Sequence, residues 1–262
     1  MDTSDLAKRM KQYESVAKTR LTRRTPVIIR IDGKAHHTFT RGFVKPFDEV
    51  YMKTMQDTMK YLCENIQGCV LGYTQSDEIS LVLLDYKKLT SEAWFDYEVE
   101  KVCSISASMA TMAFNKFFFR NFNEYLPTGG DPKEMIEYCV RYSNASSGEA
   151  MFDSRCFNIP KEEVTNNIYW RQIDAIRNSI QMVGQANFSQ KQLQNKHCGQ
   201  IQEMLIKEKN IDWNDLPNTQ KQGCCCIKTY NKETGRSKWI IDHNIPKFVG
   251  EGRKYIDDLV FI

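Results

Sequence analysis

The chain predicts an α+β fold, a split βαβ sheet of the ferredoxin-like kind with helices on one face, followed by a helical region and a β-hairpin. Two observations carry this. Up to Pro160, short runs of strand character alternate with runs of helical period in the order β-α-β-β-α-β. Beyond it the pattern turns helical before two last strand-like runs. The boundary divides an N-terminal sheet domain, 1–160, from a C-terminal helical and hairpin region, 161–262. No flexible linker separates the two, so the second should pack on the first.

Ser4 suits an N-cap, and Leu6, Met10, Tyr13 and Ala17 recur at helical spacing, so the chain opens with an amphipathic helix. After Pro26, Val27 to Asp32 reads as a strand with Val27, Ile29 and Ile31 on one face and Ile28, Arg30 and Asp32 on the other. Asp48 to Ile66 is helical through Val50, Met55, Met59 and Leu62. Residues 69–84 form two strands around the polar tip Gln75-Ser76-Asp77-Glu78. Glu98 to Asn121 is a long helix whose Ala107, Ala110 and Ala113 allow a close approach to the sheet. A short helix, Asp131 to Tyr142, follows Gly129-Gly130, and residues 149–160 make a strand that Pro160 ends. Helices then span Glu162 to Val183, burying Ile168, Ile173, Ile176 and Ile180, and Ser189 to Lys209. Gly223 to Tyr230 and Ser237 to Asp242 form the hairpin.

Composition excludes several classes. No 18-residue apolar run is present, and Met1 to Gln12 carries charges where a signal peptide needs an apolar block, so a cytoplasmic protein without a membrane span is expected. Nine cysteines occur in no CxxC pair and mostly inside apolar patterns, as reduced core thiols do; Cys224-Cys225-Cys226 reads as a strand alternating faces. His36 and His37 cannot readily face one ion, and His197 lacks partners at ligand spacing. The net charge of +3 is small, yet Lys8 to Arg24 holds seven Lys and Arg against one Glu, including Arg20, Arg23 and Arg24. That face is either solvated or phosphate-binding.

In a split βαβ sheet the end of the first strand lies beside the turn between the second and third, so Asp32 and Asp77 should converge. Two such carboxylates repel each other and need a cation. Hard oxygen ligands without a Cys/His quartet favour Mg²⁺, which brings nucleotide phosphates with it. Gly33 lets backbone approach a ligand, and the following amides suit a phosphate cradle flanked by Lys34, His36, His37, Arg41 and Lys45.

The segments RIDGKAHHTFTRGFVKPFD, GYTQSDEISLVL and FDSRCFNIP, with YWRQIDAIRNSIQMVGQANFS and DLPNTQKQG behind them, resemble the tRNA-His guanylyltransferase superfamily over nearly the whole chain. The resemblance implies a palm like that of polymerases, working as a 3′–5′ nucleotide polymerase on the 5′ end of tRNA. It implies that Asp32 and Asp77 hold two Mg²⁺ ions with the Gly33 carbonyl, and that the backbone from Gly33 through Lys34, Ala35 and His36 to His37 cradles a triphosphate. It places Arg30, Lys45, Asp48 and Ser76 around the nucleotide and Lys101 within reach of a phosphate. Glu78 either assists the metals or orients the turn. A homotetramer is also implied.

One departure bears on the subfamily. Where tRNA-His enzymes carry His-Ile-Asn-Asn-Leu-Tyr-Asn, this chain has IRNSIQM, Ile176 to Met182, and only Asn178 survives as a polar match for an RNA contact. It is therefore similar to the guanylyltransferase-like branch, which repairs 5′-truncated tRNA from a template after ATP-dependent 5′-adenylylation and then takes GTP or another nucleoside triphosphate. A strict tRNA-His guanylyltransferase, a palm-type nucleotide cyclase and a catalytically silent RNA-binding module are the alternatives. TGGDP, 128–132, resembles a cyclase signature only superficially.

Overall fold

A computed structural model describes residues 3–127, 131–231 and 235–262. In chain order the elements are α1 (Asp5–Val16), β1 (Val27–Gly33), α2 (His36–Phe39), α3 (Glu49–Asn65), β2 (Cys69–Gln75), β3 (Glu78–Leu83), α4 (Val99–Glu124), α5 (Pro132–Ser146) and β4 (Phe152–Asn158). They continue with α6 (Lys161–Asn187), α7 (Gln190–Leu193), α8 (Cys198–Lys209), α9 (Asn218–Gln222), β5 (Cys224–Asn231), β6 (Arg236–Asp242) and α10 (Lys254–Val260). Gly129 and Gly130, and most of TGGDP with them, lie outside the described residues. The helix after them runs to Ser146, further than predicted, with Asp131 as its N-cap.

The sheet is antiparallel throughout in the order β4-β1-β3-β2-β5-β6. Its first four strands are the ferredoxin-like arrangement that the sequence predicts. The C-terminal hairpin extends that sheet, because Cys224 to Ile227 pair with Thr74 to Leu71. Alternation then sends Cys224 and Cys226 into one core and Cys225 into the other.

Each face of the sheet is covered by different helices. Val27, Ile29 and Ile31 pack with Val50, Met55, Met59 and Leu62 of α3 and Val102, Ala110 and Phe114 of α4. Ile28, Val82 and Cys225 meet Val164 and Ile168 of α6 and Ile256 and Val260 of α10. A third cluster joins Ile180 and Val183 of α6 to Ile201 and Leu205 of α8 and to Trp213.

Three local expectations change. In α6, Ile173 is exposed, and Val164, Ile168, Arg171, Ala175 and Ser179 are buried. The helix serves two cores in succession, so its buried stripe turns along its length. The single helix predicted over 189–209 is two, since Asn195 takes a positive φ and His197 caps the second. In α1 no residue is buried, and Leu6, Met10 and Tyr13 face solvent. No described helix is long and apolar enough to cross a membrane.

Candidate functional site

The end of β1 and the β2–β3 tip are tied together directly. Asp32 lies opposite Glu78 in the strand register, and the Gly33 amide donates to the Asp77 carbonyl at 3.1 Å. Ser76 turns the tip with a positive φ of 50°. The Asp77 carboxyl is raised above its ordinary value, first by burial and then by the negative charge of Asp32. Its own backbone and the Ser76 hydroxyl pull the other way.

Three acids gather here, and only one is neutralised. Glu78 is gripped by Arg171 of α6, Nε to Oε1 at 2.7 Å, with Arg30 at 4.0 Å. So paired, Glu78 ties the hairpin turn to α6. Asp32 and Asp77 have no ion-pair partner among the described residues. That imbalance suits a hard divalent cation. No cluster of three or more His, Cys, Asp or Glu side chains forms a cage among the described residues. Mg²⁺ retains several waters and needs only one or two carboxylates, so the donor set fits it.

The stretch after Asp32 folds back sharply. Ala35 adopts the left-handed conformation, φ 55°, and starts the short helix α2. A Cβ on Gly33 would overlap the His36 ring, so only glycine fits there. The Gly33 and Lys34 amides are already taken, by the carbonyls of Asp77 and Met151. The predicted cradle therefore narrows to the amides of Ala35, His36 and His37, which have no backbone acceptor among the described residues.

His36 is a core residue and no side-chain ligand. Its ring is caged by Phe39, Phe114 and Phe152, and Nδ1 meets the Tyr51 hydroxyl at 2.8 Å. Nε2 is buried without a hydrogen-bond partner. Burial lowers the imidazole to about 4, against a smaller opposing pull from the Met151 backbone, so it is neutral near pH 7. Each fully buried ring is worth about 2 kcal/mol, so this cage fixes the loop that carries these amides. His37 faces solvent, as Lys34 does.

A cavity of about 280 Å³ opens beside Asp77, lined by His37, Lys45, Asp48, Tyr51, Ser76 and Met182 among others. A smaller one of about 100 Å³ shares Asp48, Tyr51, Ser76 and Met182 with it and reaches Gln56, Asn178 and Cys224. Asn178, expected as an RNA contact, lines this smaller cavity. Asp48 borders both, yet its oxygens accept from the Val44 and Tyr51 amides and from the Tyr142 hydroxyl. It shapes the wall as the N-cap of α3 and leaves little to bind a nucleotide.

Five predicted residues lie elsewhere. Asp85 follows β3 at the end of the sheet away from Glu78. There it accepts from Arg23 Nε at 2.9 Å and from the Arg24 amide, while Arg20 and Arg23 also pair with Asp96. The three arginines are exposed, yet they also tie their loop to Asp85 and Asp96. Lys101, in the first turn of α4, belongs to the same end. That helix reaches the carboxylate end of the sheet only near Thr111 and Phe114, which meet Phe152. Arg30 lines neither cavity; its guanidinium lies 6.0 Å from the Trp170 ring.

Sequence reasoning missed Tyr51 and Arg171. The buried Tyr51 hydroxyl is raised well above its usual value by burial and then by the charges of Asp77, Asp32 and Asp48. A charge at position 171 within the apolar series Val164, Ile168, Ala175 was the available signal for Arg171.

The family model for tRNAHis guanylyltransferase matches residues 7–160. A bacterial tRNA(His) guanylyltransferase-like protein in complex with ATP is 41% identical with a TM-score of 0.82, covering 98% of this chain and 99% of that one. Another such bacterial structure, in complex with GTP, is 38% identical with a TM-score of 0.78, covering 99% and 100%. A probable tRNA(His) guanylyltransferase of Dictyostelium discoideum is 28% identical over 83% of this chain and 84% of its own length. The folded-back glycine loop and the aspartate pair thus sit within a match that spans more than half of the residues, and the chain belongs to the tRNAHis guanylyltransferase family, whose members are nucleotidyltransferases acting on tRNA.

Proposed function

We propose that this chain repairs 5′-truncated tRNA by adding nucleotides in the 3′–5′ direction, each chosen by the opposite strand. The observation that carries the reading is the unneutralised pair Asp32 and Asp77, of which Asp77 lines a cavity bordered by Lys45 and His37. Related bacterial structures hold ATP or GTP, which supports a nucleoside triphosphate in that cavity here.

Asp32, Asp77 and the Gly33 carbonyl would hold Mg²⁺, two ions in the full site. When bound, they supply a lowered pKa for the attacking hydroxyl and neutralisation of the leaving phosphate. The Ala35 to His37 amides, with Lys34 and Lys45, would take the triphosphate. The 5′-phosphate of the RNA first attacks the α-phosphate of ATP, forming a 5′-adenylylated end and releasing pyrophosphate. The 3′-hydroxyl of the incoming nucleotide then attacks that 5′-phosphate, and AMP leaves. Buried Tyr51 and neutral His36 hold the loop in place and exclude water.

Template dependence follows from the segment Ile176 to Met182. Lacking the leading His of the tRNA-His motif, it presents Asn178 and Met182 to the cavities. Selection then rests on base pairing, with protein contacts only positioning the RNA. The test supplies 5′-monophosphorylated tRNA lacking its first nucleotide, ATP, Mg²⁺ and each labelled triphosphate in turn. The added base should follow its 3′ partner and disregard the anticodon. Guanylate added whatever the partner, with a His anticodon required, would make the chain a strict guanylyltransferase instead.

The working unit is taken to be a cytoplasmic homotetramer. Exposed Ile105, Met112 and Phe119 on α4 and Ile136 and Val140 on α5 are apolar surface that assembly would cover. A mass of about one chain in light scattering would exclude it.

A further inference from the structure

Resting on the RNA reading above, we propose that the indole of Trp170 is the stacking platform for the 5′-terminal base of the acceptor RNA, with Arg30 and Arg155 contacting its phosphates. A large indole on a helix that packs against a sheet would ordinarily be buried, yet Trp170 is 53% exposed. It is also held still. The Arg171 guanidinium lies 4.5 Å from its ring centroid, and Glu78 and Asp174 fix that guanidinium from the other side.

Its position is what suggests the ligand. Arg171 marks where α6 passes Glu78, and Glu78 is the register partner of Asp32, so Trp170 stands level with the carboxylates. The helix packs on Ile28 of β1 further down the strand, and nearer Asp32 it leaves the β4 side uncovered. Asp153 and Arg155 of β4 are 61% and 50% exposed there.

That floor carries cations suited to phosphate. Arg30 shares the Asp32 face of β1, and its buried Nε has no hydrogen-bond partner among the described residues, its ion pair with Glu78 being loose at 4.0 Å. Arg155 lies directly across from it on β4 and, among the described residues, pairs only with exposed Asp153 at 3.1 Å. An aromatic ring flanked by guanidinium groups along an open groove is how proteins hold single-stranded nucleic acid. A nucleotide in the cavity beyond Asp77 and an RNA end on Trp170 would then approach the carboxylates from opposite sides.

The experiment uses the full chain and a 5′-monophosphorylated RNA hairpin with 2-aminopurine as its 5′-terminal base. Wild type should quench that base on binding and leave 2-aminopurine at the fourth position bright. Trp170→Ala should weaken RNA binding by roughly 5- to 100-fold, the range of one base stack, with ATP affinity unchanged. Trp170→Phe should keep most of the affinity. Arg30→Ala and Arg155→Ala should each flatten the salt dependence.

The proposal is overturned by an unquenched terminal base, by Trp170→Ala binding RNA as wild type does, or by Trp170→Phe being as weak as Trp170→Ala. A parallel fall in ATP affinity would overturn it too, by assigning Trp170 to the nucleotide pocket. If wild type binds ATP but no RNA, the RNA reading itself fails and the platform with it.

Discussion

Arg171 Nε stands 2.7 Å from Glu78 Oε1, and both side chains are about nine-tenths buried. This contact joins α6 to the hairpin tip and sets the height of Asp77 against Asp32. Arg171→Ala should cost about 3–5 kcal/mol by leaving a buried carboxylate unpaired. Glu78→Gln, which keeps a hydrogen bond to the guanidinium, should cost less and retain activity that Asp77→Asn loses. Urea unfolding and a turnover assay separate the three.

Asp32→Asn and Asp77→Asn should each reduce nucleotidyl transfer by about a thousandfold or more without lowering stability. The folded-state pKa of Asp77 lies above its unfolded value. Its ionised form therefore opposes folding at neutral pH, and that cost shrinks as pH falls. Thermal unfolding at pH 7 should show Tm equal or higher for the Asn variants. Millimolar Mg²⁺ should raise Tm in wild type only.

His36 provides the opposite sign. Its pKa falls from an ordinary 6.5 to about 4 on folding, so the stability from its neutral ring is complete above pH 6.5 and declines as pH drops toward 4. The loss should approach about 3 kcal/mol. His36→Phe should flatten that part of the profile, measured by urea unfolding at pH 7, 5.5 and 4.5. An unchanged slope in the variant would assign the acid sensitivity to other groups.

Gly33→Ala places a methyl against the His36 ring and should destabilise by about 1–3 kcal/mol. Restoring space with the double variant Gly33→Ala, His36→Ala should recover less than additive loss, read as a coupling energy in a double-mutant cycle.

Arg23→Ala should lower stability and leave the salt dependence of RNA binding intact. Its partner Asp85 is fully buried, and removing the guanidinium strands a carboxylate that the Arg24 amide alone satisfies. A loss of about 1–3 kcal/mol is expected. A changed salt slope would return these arginines to an RNA surface.

The strand order and the meeting of Asp32 with Asp77 were legible because both depend on local period and on the position of a break, which a linear sequence displays. Arg20, Arg23, Arg24 and Lys101 were misplaced for the complementary reason. Counting cations says nothing of which end of a sheet they reach, and the arginines' partners Asp85 and Asp96 lie more than sixty residues away. Ile173 misled because α6 leans on two cores in turn, so no single helical face is buried throughout. Tyr51 and Arg171 gain their roles only from tertiary partners.

The fifth strand has a consequence for biosynthesis. Until Cys224 to Ile227 leave the ribosome, β2 has a bare outer edge, and β1 waits for Phe152 to Asn158 before both its sides are paired. The nascent chain thus holds Asp32 and Asp77 from early on, yet exposes an aggregation-prone edge for most of its translation. Holdase chaperones should engage it during that interval and release it once Cys224 to Asn231 has zipped onto the sheet.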